Sequence, residues 1–108
     1  LASVADVVTV GQVSIDVDAA TQALVERGLP RILCEGGPHV LAYFVEADRL
    51  DELCYTITPT MVGGRSARLM ETPQSLTSRW QLAHIVEDDG TLLTRWIRAA
   101  SPTSSSAT

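Results

Sequence analysis

The residues whose types and spacing could do chemistry lie in one phrase, Glu35-Gly36-Gly37-Pro38-His39-Val40, set between the apolar runs 31–34 and 40–45. Two adjacent glycines carry no side chain to hold a ligand away from the backbone, and a helix starting just after them presents amides that no preceding turn can engage. Pro38 suits a first helical turn and has no N–H, so the free donors would be the amides of Gly37, His39 and Val40. Those donors, together with the partial positive charge of a helix start, would welcome a phosphate. A glycine pair between strand and helix is also an ordinary tight connection, so mechanism alone leaves both readings open. Glu35 has two readings as well: it could accept hydrogen bonds from a polar substrate, or cap the amides of its own loop.

Other chemistries are excluded by absence. All eight basic residues are arginine, which removes a Walker lysine, a Schiff-base lysine and a Ser-x-x-Lys nucleophile. The two cysteines, Cys34 and Cys54, sit in separate apolar runs without metal or redox spacing and read as reduced, buried thiols of a cytoplasmic protein. His39 and His84 lack flanking ligands, so no metal site is expected. A formal charge of −5 offers no basic stripe for nucleic acid or an anionic membrane. No stretch is long and apolar enough to span a bilayer, and the first residues lack the layout of a signal peptide. The chain opens inside an apolar phrase without an initiator methionine, which reads as a piece of something longer.

The elements that must position the phrase follow from local pattern. Residues 6–10 (DVVTV) predict a short strand closed by Gly11. A helix follows, capped by Asp16, with Asp18 in its first turn and Val17, Ala20 and Leu24 at helical spacing, until Gly28 stops it and Pro30 blocks continuation. Residues 31–34 (RILC) predict a strand covered on both faces, as in a parallel sheet. A second helix carries Val40, Leu41, Phe44 and Val45 on one face, and residues 53–58 (LCYTIT) predict the next strand, ended by Pro59. Strand, helix, strand, helix, strand is the grammar of parallel crossover units. Residues 62–78 predict a loop excursion. Residues 79–98 predict a hairpin about Asp89-Gly90, with Val86 against Leu93, Leu82 against Ile97 and Trp80 near Ala99. Trp80, Trp96 and His84 read as sheet residues, and residues 101–108 as a disordered polar tail.

The longer phrase is more specific than any of its parts. Cys34-Glu35-Gly36-Gly37-Pro38-His39-Val40-Leu41, then Asp51-Glu52-Leu53, then Thr58-Pro59-Thr60-Met61-Val62-Gly63-Gly64, resembles the pyrimidine reductase domain of riboflavin biosynthesis. That domain is the C-terminal part of a bifunctional deaminase-reductase family and a relative of dihydrofolate reductase. The resemblance covers roughly residues 6–98. It implies an α/β fold of the dihydrofolate reductase-like kind: a mostly parallel sheet with flanking helices and a C-terminal antiparallel hairpin. Residues 1–100 would then be the C-terminal half of a reductase domain, its N-terminal half missing.

The resemblance further implies NADPH as cofactor, held by Gly36 and Gly37, with His39 and Val40 in the adjoining helix turn. Glu35 would face the substrate, a ribosylamino-pyrimidine. Catalytic residues are not identified, and the half domain alone is expected to be inactive. Asp51 and Glu52 are expected to be structural, as is the Gly63-Gly64 pair, which would permit a bulge or turn. His39 departs from the small or polar residue expected after the proline. The His-x-Glu and Pro-Cys-x-x-Cys of the family's zinc deaminase are absent. A homodimer is expected. The rival readings are a reductase of dihydrofolate or another heterocycle on the same fold, and a non-catalytic α/β module whose surface serves self-association.

Overall fold

The computed structural model describes residues 3–100; the tail expected at 101–108 lies outside the described residues. Two helices precede three strands: α1 (Val17–Glu26), α2 (Pro38–Glu46), β1 (Glu52–Ile57), β2 (Trp80–Asp88) and β3 (Thr91–Arg98). They fall into two units, one of residues up to 49 with 67–75, the other of residues 50–66 with those from 76 onward. No helix among the described residues is long and apolar enough to cross a membrane.

In the first unit, local chemistry sets both helices. Asp16 accepts the Ala19 amide at 3.0 Å and caps α1, satisfying one of the donors a helix start leaves open. Val17, Ala20, Thr21 and Leu24 form the covered stripe of α1, spaced one helical turn apart. Its end is a Schellman motif: Leu29 N–H reaches Leu24 O and Gly28 N–H reaches Val25 O, with Gly28 at φ 77°. The end of α2 repeats the motif with Asp48 at φ 55° in the glycine's place, Arg49 N–H reaching Phe44 O and Asp48 N–H reaching Val45 O. Arg49 also donates to Asp18 at 2.7 Å, tying the end of α2 to the start of α1. Leu41 and Ala42 of α2 and Val17 of α1 are the buried apolar side chains among the described residues.

In the second unit the sheet order is β1-β3-β2, antiparallel throughout. The hairpin turns on Asp89-Gly90, both with positive φ (48° and 81°), the type I′ conformation that matches strand twist. Val86 pairs with Leu93 as predicted, but Leu82 pairs with Trp96 and Trp80 with Arg98, one residue short of the expected partners. The cause is a bulge at Ala83, an extra residue between the Leu82 and His84 pairings that a uniform count from the turn cannot see. The bulge keeps Trp80, Leu82 and Ile85 on one face with Trp96, Thr94, Leu53 and Tyr55, and turns His84 to the other face with Arg95 and Cys54. Buried Thr94 is fully used: its hydroxyl donates to Tyr55 O at 2.6 Å and accepts the Trp96 indole N–H at 2.8 Å.

Three expectations are corrected. The described residues form no parallel sheet, and residues 6–10 and 31–34 take no part in any ladder. A hairpin strand finds its neighbour two residues away, whereas a parallel strand needs one brought by a crossover, and none of the described strands stands beside these runs. Leu33, predicted to be covered, is 82 % exposed. Cys54 lies in β1 as predicted but is exposed, because that strand position points to the polar face; Cys34 is half-buried and outside any strand, and both thiols are free. Gly63 and Gly64 sit in irregular chain outside any ladder, Gly64 at φ 103°, within the loop expected over residues 62–78.

Candidate functional site

Helix α2 begins where the sequence predicts, with Gly37 as N-cap and Pro38 at its first position. The N-cap has no side chain to turn back onto the first amides, and the first bond to a helix-start acceptor runs from Leu41 N–H to Gly37 O at 2.9 Å. The amides of His39 and Val40 therefore precede the repeating pattern, as the geometry of any helix start requires. Gly36 lies at φ 81°, a conformation that favours glycine, and the Gly36-Gly37 peptide is cis. A Cβ built on Gly36 or on Gly37 meets no atom within 4 Å. Neither glycine is demanded by packing, so the space above the pair is open to a ligand.

Glu35, Gly36, Gly37 and His39 are exposed and Val40 is half-buried, all brought together by the turn itself. No amide among the described residues donates to the Glu35 carboxylate, so the loop-capping alternative is not what the structure contains. The donor set, open backbone amides over glycines at a helix start, fits the pyrophosphate of a dinucleotide. No group of three or more metal-ligating side chains occurs among the described residues.

Sequence reasoning missed the segment that holds this helix. Between residues 61 and 75 only Met70, Glu71 and Thr72 are half-buried, and the rest are exposed. Glu71 N–H donates to Pro38 O at 3.1 Å, at the first residue of α2, and the Thr72 hydroxyl donates to Glu46, its last. The Glu71 carboxylate in turn accepts the Arg68 amide at 2.9 Å, closing the local turn. The partners lie 26 and more residues apart in sequence, so no local signal announces them.

The acidic pair Asp51 and Glu52 is structural, as expected. Arg98 is held to Asp51 by an ion pair at 3.0 Å and by its own amide on the Asp51 carbonyl. Arg95 grips both oxygens of Glu52 at 2.8 Å, and this fork lowers the Glu52 carboxyl below its ordinary range and raises Arg95.

The model of the RibD C-terminal domain family matches residues 1–94. Among solved structures, a pyrimidine reductase-like protein of Corynebacterium diphtheriae is similar with a TM-score of 0.74 and 25% identity, over 82% of this chain and 37% of that one. Two structures of Acinetobacter baumannii RibD, forms 2 and 1, give TM-scores of 0.68 and 0.64 at 18% and 16% identity, over 78% and 79% of this chain and 25% of theirs. At that identity the Acinetobacter likeness is one of fold. The chain thus spans well under half the length of each of these proteins. No curated protein matches it.

Proposed function

We propose that this chain, which belongs to the RibD C-terminal domain family, forms part of the NADPH site of a riboflavin-pathway pyrimidine reductase. The observation that carries the proposal is the open glycine turn at the start of α2, where side chains are absent, space is free and the helix-start amides precede the first helix bond. NADPH, when bound, supplies the hydride, so the protein's work is to hold and to discriminate. Gly36 and Gly37 let the pyrophosphate and ribose approach the main chain, and the amides of Gly37, His39 and Val40 donate to phosphate oxygens. The exposed imidazole of His39 lies at the same edge. Glu35, exposed and without an internal partner, accepts hydrogen bonds from the pyrimidine or its ribityl chain.

The same proposal assigns residues 1–100 to the C-terminal half of a reductase domain whose N-terminal half completes the substrate pocket and pairs the open strand edges. Its support is the length of the relatives and the apolar side chains this chain leaves exposed, among them Leu33, Tyr55, Ile57, Leu82 and Ile85. The complete protein acts as a cytoplasmic homodimer, the free thiols being at home in a reducing compartment. Sedimentation of that protein checks the dimer.

NADPH titration of the intact polypeptide is the decisive test. Gly37 has φ −69° and nothing within 4 Å of a built Cβ, so Gly37→Val should fold normally while binding NADPH at least about tenfold more weakly. Equal affinity in the folded variant removes the glycine pair from the site. Glu35→Gln should lower turnover more than NADPH affinity, and wild-type values for both would take Glu35 out of substrate recognition.

A further inference from the structure

We infer that residues 68–72 are a brace that positions the cofactor turn, and that Glu71 and Thr72 set NADPH affinity without touching NADPH. The inference rests on the site proposed above and assigns residues to its support. Three observations carry it. Met70, Glu71 and Thr72 are the half-buried residues of an otherwise exposed stretch, so this part of the loop is seated and not merely passing. Its two outward hydrogen bonds reach opposite ends of one helix, Pro38 O at the start and Glu46 at the end. A helix of nine residues is about 13 Å long, so contacts at both ends fix its axis and not only its location. The third observation is the bond from the Arg68 amide to the Glu71 carboxylate, which makes the Glu71 side chain responsible for the turn that aims the Glu71 amide.

The consequence for binding is geometric. Pro38 follows the glycine pair directly, so anchoring its carbonyl anchors the amides that would hold a phosphate. Acceptance by Pro38 O leaves the open amides of His39 and Val40 unoccupied, which is what a support should do. Loosening the brace leaves every ligand contact in the chain but lets the donors wander, and the ligand must then order them at its own expense in affinity.

The test compares four variants of the intact polypeptide by NADPH titration, with amide hydrogen exchange of residues 39–42 read in parallel. Glu71→Ala removes the acceptor for the Arg68 amide, and Thr72→Val removes the donor to Glu46. Each should weaken NADPH about three- to tenfold, the effect of one hydrogen bond, and speed exchange at the start of α2. Glu71→Gln and Thr72→Ser keep the acceptor and the donor and should restore both readouts, which separates the role from a general loss of fold. Faster exchange with wild-type affinity overturns the inference, as does unchanged exchange. A failure of the conservative variants to rescue overturns it too. If the wild-type protein binds no NADPH, the site itself is wrong and the inference falls with it; if the wild type binds and all variants bind equally, the site stands and only the brace is rejected.

Discussion

Residues 31–34 and 53–58 are two short apolar phrases of similar character, yet one becomes a strand and the other does not. The second forms β1 because β3 lies beside it, its pairs running from Glu52 with Ile97 to Ile57 with Leu92. The first has no neighbour among the described strands. Apolar, β-branched residues make a segment willing to be a strand, but the ladder is a property of two segments. The same contrast separates the two units: one is held by caps, turns and a brace, the other by a ladder that begins at its own hairpin.

The contrast predicts amide exchange first. In the 108-residue chain the amides of 31–34 should exchange at least about a thousandfold faster than those of β3, a difference of about 4 kcal/mol in opening free energy. Protection of 31–34 equal to that of β3 would show that a partner is already present. Supplying the N-terminal half should bring the two toward parity, and exchange that remains fast would remove the strand-completion part of the proposal.

Breaking the first unit at a turn comes next. Gly11 has φ 82°, and a Cβ there would lie 1.9 Å from Ser14 O. Gly11→Ala should therefore cost about 3 kcal/mol, the left-handed penalty plus a backbone shift, and thermal melting would reveal an unchanged protein at once. In the sheet, Gly90→Val must adopt φ 81° with its Cβ 3.4 Å from Pro59, for a loss of about 2 kcal/mol. A smaller loss at Gly90 than at Gly11 supports the division between a unit held by turns and one held by its ladder; the reverse order would break it. Gly28→Ala, strained in φ but with nothing within 4 Å, should cost about 1 kcal/mol.

The smallest effect concerns pH. Arg95 holds the Glu52 carboxyl below its ordinary value of 4.5 in the folded chain, so the pair stabilises above that value and its contribution is lost as pH falls through the lowered one. The pair is solvent-exposed, and salt should screen it. Glu52→Gln should flatten the acid side of the stability profile at low salt, and an identical profile would show the pair to be inert.

What could be read from the sequence is what depends on neighbours in the chain. Asp16, Gly28, Pro38 and the Asp89-Gly90 turn all act within a few residues, and all four stand where their chemistry places them. The glycine turn was legible for the same reason. The parallel arrangement rests on element order, which states a preference for partners without showing that they exist. The exposure of Cys54 is not legible in the sequence, because an apolar run hides alternation that only the pairing with Arg95 reveals. The brace was invisible because Glu71 and Thr72 look like any loop residues until Pro38 and Glu46 are brought beside them.

Ala83 has a consequence for how this hairpin can change length. It is the residue skipped between the pairs Leu82 with Trp96 and His84 with Arg95. Removing a residue elsewhere in a strand exchanges the two faces along one whole arm. Removing Ala83 leaves each pairing and each face as it is and turns an interrupted ladder into a regular one. A one-residue deletion that would ruin β2 at any other position can therefore be absorbed here, so among homologous hairpins this is the place where β2 should be found one residue shorter.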